Sequence, residues 1–178
     1  MAPPRTPGGG RAPMSGRPSE PMVVGRPMAG VKVLPARLYR DARGWLAEIF
    51  RLDEVEPDLA PAMAYVSMTA PQVVRGPHEH RDQTDIFCFV GPSDFRLTLW
   101  DARAGSATHR EKMVVECGET SPGIVVIPPG VVHAYRNIGT REGLVFNCPN
   151  RLYAGKGRRE PVDEIRHEDV PGSLYRPE

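Results

Sequence analysis

Three of the chain's five histidines fall in two short constellations. His78 and His80, in Arg75-Gly-Pro-His-Glu-His, are one residue apart, so a strand projects both imidazoles from the same face. Asp85 follows five residues after His80. His133 stands in Pro128-Pro-Gly-Val-Val-His-Ala-Tyr-Arg-Asn137, where a proline–glycine turn leads into a strand. If these strands pair within one barrel, three imidazoles and one carboxylate meet in its mouth. That mouth suits proton transfer, because a neutral imidazole with a pKa of about 6.5 accepts a proton near neutral pH.

The elements that must position these groups are short and strand-like. Apolar runs separated by turn clusters predict strands at Val31–Leu34, Gly44–Phe50, Ala64–Thr69, Ile86–Val90, Phe95–Trp100, Lys112–Glu116, Gly123–Ile127, Val131–Asn137 and Gly143–Asn147. Strict alternation puts Phe95, Leu97 and Leu99 on one face. Pro 20 and Gly 18 disfavour long helices, since an interior proline costs about 3 kcal/mol there. Regular short strands with few helices predict an all-β, closed or sandwiched antiparallel sheet. One short helix is expected near Pro161–Ile165. Residues 1–30, rich in Pro, Gly and Arg and without periodicity, read as a disordered tail of no assigned function, leaving 31–178 as the single domain.

Composition excludes several classes. With 23 Lys+Arg against 22 Asp+Glu, the net charge of +1 gives no basis for nucleic acid or an anionic membrane surface as the main partner. No run approaches the roughly 18 apolar residues of a membrane span, and no secretory signal is evident. Cys88, Cys117 and Cys148 are odd in number and widely spaced, which predicts a cytoplasmic protein with free thiols rather than a disulfide framework.

His78-x-His80-x4-Asp85, followed by Pro128-x-Gly130-x2-His133-x3-Asn137, resembles the two cupin motifs, and so implies a double-stranded β-helix, or jelly-roll, barrel. In metal-binding cupins these motifs supply the ligands, which nominates His78, His80, Asp85 and His133 for a divalent ion in an enzyme or a sugar-sensing module. Nitrogen and carboxylate donors of this kind suit iron, manganese, nickel or zinc.

A more extensive resemblance runs from about Val31 to Asp169. Asp41-Ala-Arg-Gly-Trp-Leu-Ala-Glu48, Ser67 with Val74-Arg-Gly-Pro-His78, Trp100-Asp-Ala-Arg-Ala-Gly-Ser-Ala-Thr108 and Pro128-Pro-Gly-Val-Val-His133 are similar, in order, to elements of the dTDP-4-dehydrorhamnose 3,5-epimerase family of RmlC-like cupins. The resemblance implies an isomerase of carbohydrate biosynthesis that acts on a 4-keto-6-deoxy sugar nucleotide and requires no cofactor. It implies His78 as the catalytic base, Arg75 or His133 as donors to the enolate, and Tyr135 or Tyr153 as the acid. Arg43, Glu48, Ser67 and Arg75 are the implied substrate-binding residues, with Arg43 on the diphosphate. A homodimer is implied too, with Val31–Leu38 as the exchanged segment.

The chain departs from that family's active site at several positions. His80 stands where the family has glutamine, Asp85 where it has lysine, Met63 where it has glutamine, and Phe146 where the acid tyrosine aligns without a gap. For the carboxylate that orients the base, Asp163, Glu164 and Asp169 qualify by type. His109 and His167, in charged contexts, are expected to be solvated, Cys88 and Cys117 to be core residues, and Trp45 and Trp100 to be core or pocket wall.

Overall fold

The computed structural model describes residues 19–177 of the chain. Thirteen strands lie among the described residues: β1 (Met22–Gly25), β2 (Lys32–Pro35), β3 (Leu38–Asp41), β4 (Gly44–Ala47), β5 (Tyr65–Thr69), β6 (Val74–Glu79), β7 (Asp85–Phe89), β8 (Asp94–Asp101), β9 (Lys112–Gly118), β10 (Gly123–Ile127), β11 (Val131–Asn137), β12 (Gly143–Asn147) and β13 (Ile165–Arg166). They form a six-stranded sheet in the order β1-β9-β8-β11-β6-β13, a five-stranded sheet in the order β2-β10-β7-β12-β5, and the separate hairpin β3-β4. This is the all-β antiparallel architecture expected from the strand spacing, and the jelly-roll barrel that the resemblance implies.

The alternation read in β8 is realised: Phe95, Leu97 and Leu99 are fully buried and lie opposite Cys117, Val115 and Met113 of β9. From the facing sheet, Phe87, Phe89, Val125 and Val145 complete the interior cluster. Phe87, Phe89, Phe95 and Tyr135 stack at ring separations of 5.5 to 6.0 Å, each favourable pair adding about 0.5–1.5 kcal/mol beyond burial. β7 is buried on both faces, because the β3–β4 hairpin covers its outer side through Leu38 and Ala47 against Cys88 and Val90. That cover explains why β7 reads as an unbroken apolar run rather than an alternation.

One bulge decides which side chains reach the barrel mouth. Along β11, one residue lies between the paired positions His133 and Tyr135, whereas two lie between their β6 partners, Arg75 and His78. The extra residue resets the alternation and places Arg75 on the same wall as His78 and His80. Gly76 makes this feasible: its φ is +85°, and a Cβ there would lie 2.7 Å from the carbonyl oxygen of His133. Gly76→Ala is therefore expected to destabilise the protein by about 1–3 kcal/mol, read as a lowered midpoint in thermal or urea unfolding.

Three sequence expectations need correction. Residues 1–18 of the expected tail lie outside the described residues, but Met22–Gly25 pairs with β9 and Met28 is buried in the core. Two valines between turn-formers were too short a run to register as a strand. Pro161–Ile165 is not a helix; Ile165–Arg166 adds to β6 as β13, and a 3-10 turn occupies Lys156–Arg158 instead. The segment expected to be exchanged between subunits contains β2, which pairs with β10 of its own chain.

Candidate active site

The mouth of the barrel opens into a cleft of about 1260 Å³ whose wall includes His78, His80, Arg75, Ser67 and Tyr135. β6 and β11 place His78 directly opposite His133, with ring centroids 4.4 Å apart. Asp85 enters from the facing sheet at the start of β7, so the two cupin-like motifs meet as their spacing predicts. His133 rests edge-on against Phe87, which separates this polar cluster from the aromatic core below.

Asp85 is the hub. Its Oδ1 accepts hydrogen bonds from Gln83 Nε2 and Asn147 Nδ2, both at 2.9 Å, while its Oδ2 lies 3.2 Å from His80 Nε2 and 3.3 Å from His133 Nε2. Burial works against the Asp85 charge, but the two imidazoles beside it hold its carboxyl well below the usual range. Burial likewise opposes charge on His80, yet Asp85 and the Asp163 carbonyl outweigh it and raise that imidazole above its ordinary value. His78 has no such partner. Burial, reinforced by His133 and His80, pushes it down to about 2, so it presents a neutral ring at the cleft wall.

Tyr135, on the β11 strand next to β6, also lines the cleft; it is buried, and its hydroxyl shares a 2.8 Å hydrogen bond with Ser67 Oγ. Burial raises its phenol, with the Ser67 bond acting in the opposite sense. Arg75 donates from Nε to Thr69 Oγ1 at 3.0 Å and from Nη2 to the Met68 carbonyl at 2.8 Å, which leaves further N–H groups of its guanidinium for a ligand.

Several predicted roles do not match these positions. Arg43 sits at the exposed tip of the β3–β4 hairpin, where it pairs with Asp41, and Glu48 faces a separate groove beside Arg51; neither lines the cleft. His133 is behind the wall, with its Nε2 turned to Asp85, so it offers no donor to an enolate in the cleft. Phe146 points to the outer face of its sheet, against the Ala36 cluster. Of the carboxylates considered as partners for His78, none bonds to it. Asp163 instead accepts the backbone N–H groups of Arg81, Asp82 and Gln83, which fixes the turn after His80. Met63 and Tyr153 do line the cleft, joined by a bond from the Tyr153 N–H to Met63 Sδ.

Other residues need a changed description. His167 is not solvated, since its Nε2 lies 2.9 Å from Glu79 Oε1 and both side chains are largely covered. Trp45 is exposed, whereas Trp100 packs against Tyr175. Asp101, Arg103, Ser106 and Thr108 lock one turn through bonds to Asp101, and Arg103 also ties down the Ala29 carbonyl. That motif is scaffold. Sequence reasoning missed Gln83 and Asn147, which hold Asp85. It also missed the cleft-rim cations Arg81, Arg151, Lys156 and Arg158, none with an ion-pair partner among the described residues. Lys156 and Arg158 belong to the charged stretch Lys156-Gly-Arg-Arg-Glu160, which an ordinary solvated face would also produce, and Arg81 and Arg151 carry no sequence signal.

The sequence profile described as dTDP-4-dehydrorhamnose 3,5-epimerase matches residues 26–166. A relative from Haloferax volcanii, the probable low-salt glycan biosynthesis epimerase Agl13, is 37% identical over 125 residues, covering 69% of this chain and 79% of that protein. Among solved structures, a dTDP sugar isomerase from Desulfovibrio desulfuricans G20 superposes with a TM-score of 0.72 at 22% identity, over 84% of this chain and 91% of its own. ChmJ from Streptomyces bikiniensis, a 3'-monoepimerase solved with dTDP-quinovose, superposes with a TM-score of 0.64 at 19% identity, over 78% and 70% of the two chains. At these identities the two structural likenesses establish the fold.

Proposed function

Because the chain belongs to the dTDP-4-dehydrorhamnose 3,5-epimerase family, we propose that it epimerises a 4-keto-6-deoxy sugar nucleotide by moving a proton at carbon next to the ketone. The observation that carries this reading is a neutral, buried imidazole, His78, on the wall of a large cleft, with the Tyr135 hydroxyl on the same cleft. The 4-keto group acidifies C3 and C5. His78 takes the proton as the C–H electron pair moves into the ring and the ketone oxygen gains negative charge. Arg75 supplies donors to that oxygen, and Tyr135 returns a proton from the opposite face. The low pKa of His78 makes it a weak base, so stabilisation of the enolate bears more of the barrier reduction.

Epimerases of this family need no cofactor, and the proton transfers described here draw on none. The diphosphate is assigned to Arg75 and the unpaired rim cations, of which arginine best matches phosphate geometry. Arg43 belongs to the site only if a second copy brings its hairpin to this cleft. Supporting a homodimer are the exposed Trp45 and Leu46 of that hairpin and the open β5 edge with Val66 and Met68. A cytoplasmic location fits the three buried free cysteines, and no helix among the described residues is long and apolar enough to cross a membrane.

Deuterium exchange tests the function. Incubation with dTDP-4-keto-6-deoxyglucose in heavy water is expected to place deuterium at C3 or C5, read by NMR or mass spectrometry. Absence of exchange, together with failure to bind the nucleotide, would remove this reading.

A further inference from the structure

We propose that Tyr65 is a further catalytic residue, whose hydroxyl donates a hydrogen bond to the sugar's ketone oxygen as the enolate forms, in addition to Arg75. This role rests on the epimerase reading and adds a residue that neither the motifs nor the resemblance nominated. Tyr65 opens β5 and lines the cleft. β5 and its neighbour β12 belong to the five-stranded sheet, whereas β6 and β11, which carry His78 and Tyr135, belong to the six-stranded one. A sugar in the cleft therefore meets Tyr65 and His78 from facing sheets. Alternation along β5 turns Tyr65, Ser67 and Thr69 to one side, where Ser67 bonds Tyr135, Thr69 accepts from Arg75 and Tyr65 bonds Asn147.

What the Tyr65 hydroxyl can do follows from Asn147, its register partner on β12. Asn147 Oδ1 accepts the Ile86 N–H at 3.1 Å, which fixes the orientation of the amide. Both hydrogens on its Nδ2 are then donated, one to Asp85 Oδ1 and one to the Tyr65 oxygen, each at 2.9 Å. Asn147 is fully buried, so the phenol oxygen is held from behind the cleft wall. That oxygen already accepts a bond, while its own O–H has no acceptor among the described residues. A hydroxyl pinned in this way is a preorganised donor. Burial pushes the phenol up to about 12, with the Asn147 bond opposing and Asp85, Tyr135 and Glu164 adding to the burial. Tyr65 thus keeps its proton through the neutral range and gives a hydrogen bond rather than a proton. The diphosphate has the rim cations, which leaves this neutral donor for the sugar. A ketone oxygen is an acceptor that strengthens as charge moves onto it, so the bond gains most in the transition state.

The test uses the chelator-treated full chain with dTDP-4-keto-6-deoxyglucose in heavy water. In Tyr65→Phe, kcat for deuterium exchange and for epimer formation is expected to fall together by about 10²–10³-fold, the loss that follows removal of one oxyanion donor. Its affinity for dTDP by calorimetry and its melting temperature should stay near wild type. Replacing Tyr65 by 3,5-difluorotyrosine keeps the oxygen that Asn147 binds but makes the phenol far more acidic. That protein is expected to match or exceed wild type at low pH and to lose kcat as pH rises through its phenol ionisation. Wild type shows no such limb, and a hydroxyl that only props Asn147 would not produce one. Tyr65→Phe exchanging at the wild-type rate overturns the assignment, as does a difluorotyrosine protein with the wild-type pH profile. Exchange retained while epimer alone is lost would make Tyr65 a proton donor to carbon and overturns the oxygen contact. Wild type without exchange removes the epimerase reading and the Tyr65 role with it, so the wild-type control tells the two failures apart.

Discussion

In metal-free His78→Asn, deuterium exchange into the sugar nucleotide is expected to fall by about 10²–10⁴-fold, the range contributed by a positioned general base. Asparagine keeps a polar side chain of similar reach but has no basic nitrogen. The His78 side chain has no hydrogen bond to a described residue, so its replacement breaks no side-chain network, and an unchanged melting temperature would separate lost chemistry from lost folding. The pH profile gives the same assignment a second readout. Burial first, then His133 and His80, push His78 down to about 2 from an unfolded value of about 6.5. A depressed pKa means the ring stays neutral as pH falls through 6.5. Wild-type kcat/KM is therefore expected to show no imidazole limb between pH 7.5 and 5.5, where an ordinary histidine would lose about tenfold. A limb near 6.5 that disappears in His78→Asn would place a normally titrating base at this position and contradict the environment described.

Tyr135→Phe is expected to separate two steps that His78→Asn removes together. His78 still abstracts a proton and can return one to the same face, so exchange persists. Inversion requires a donor on the other face, so formation of epimer should fall by about 100-fold or more while exchange falls far less. The hydroxyl's loss leaves Ser67 without its 2.8 Å partner, a stability cost of about 1 kcal/mol. Equal losses of exchange and epimer would instead assign Tyr135 to substrate positioning. Unaltered epimer formation would shift the acid role to Tyr153, which also lines the cleft.

The sequence carried the barrel well where pattern and burial coincide. Phe95, Leu97 and Leu99 alternate because one face of β8 is core. It carried the His78, His80, Asp85 and His133 cluster because those residues sit on paired or facing strands, where spacing translates directly into shared geometry. β7 hid its second packing layer, since a hairpin distant in sequence covers it. The Gly76 bulge was also hidden, and with it the reason Arg75 shares a wall with His78. Arg43 and Glu48 were nominated by resemblance, which says nothing about whether a side chain reaches the cleft of its own subunit. His133 was nominated as a cleft donor, but which way its Nε2 turns depends on Asp85 and the Val131 carbonyl, a choice made by three-dimensional neighbours.

The central claim is that this cleft moves a proton at carbon next to a sugar ketone. Its most direct test is mass-resolved NMR of dTDP-4-keto-6-deoxyglucose incubated in heavy water with chelator-treated wild-type protein, with His78→Asn alongside. The account predicts deuterium at C3 or C5 with wild type and exchange at the no-enzyme rate with the variant. Wild type that binds the nucleotide sugar yet leaves both carbons fully protiated, or a variant that exchanges as fast as wild type, would contradict it.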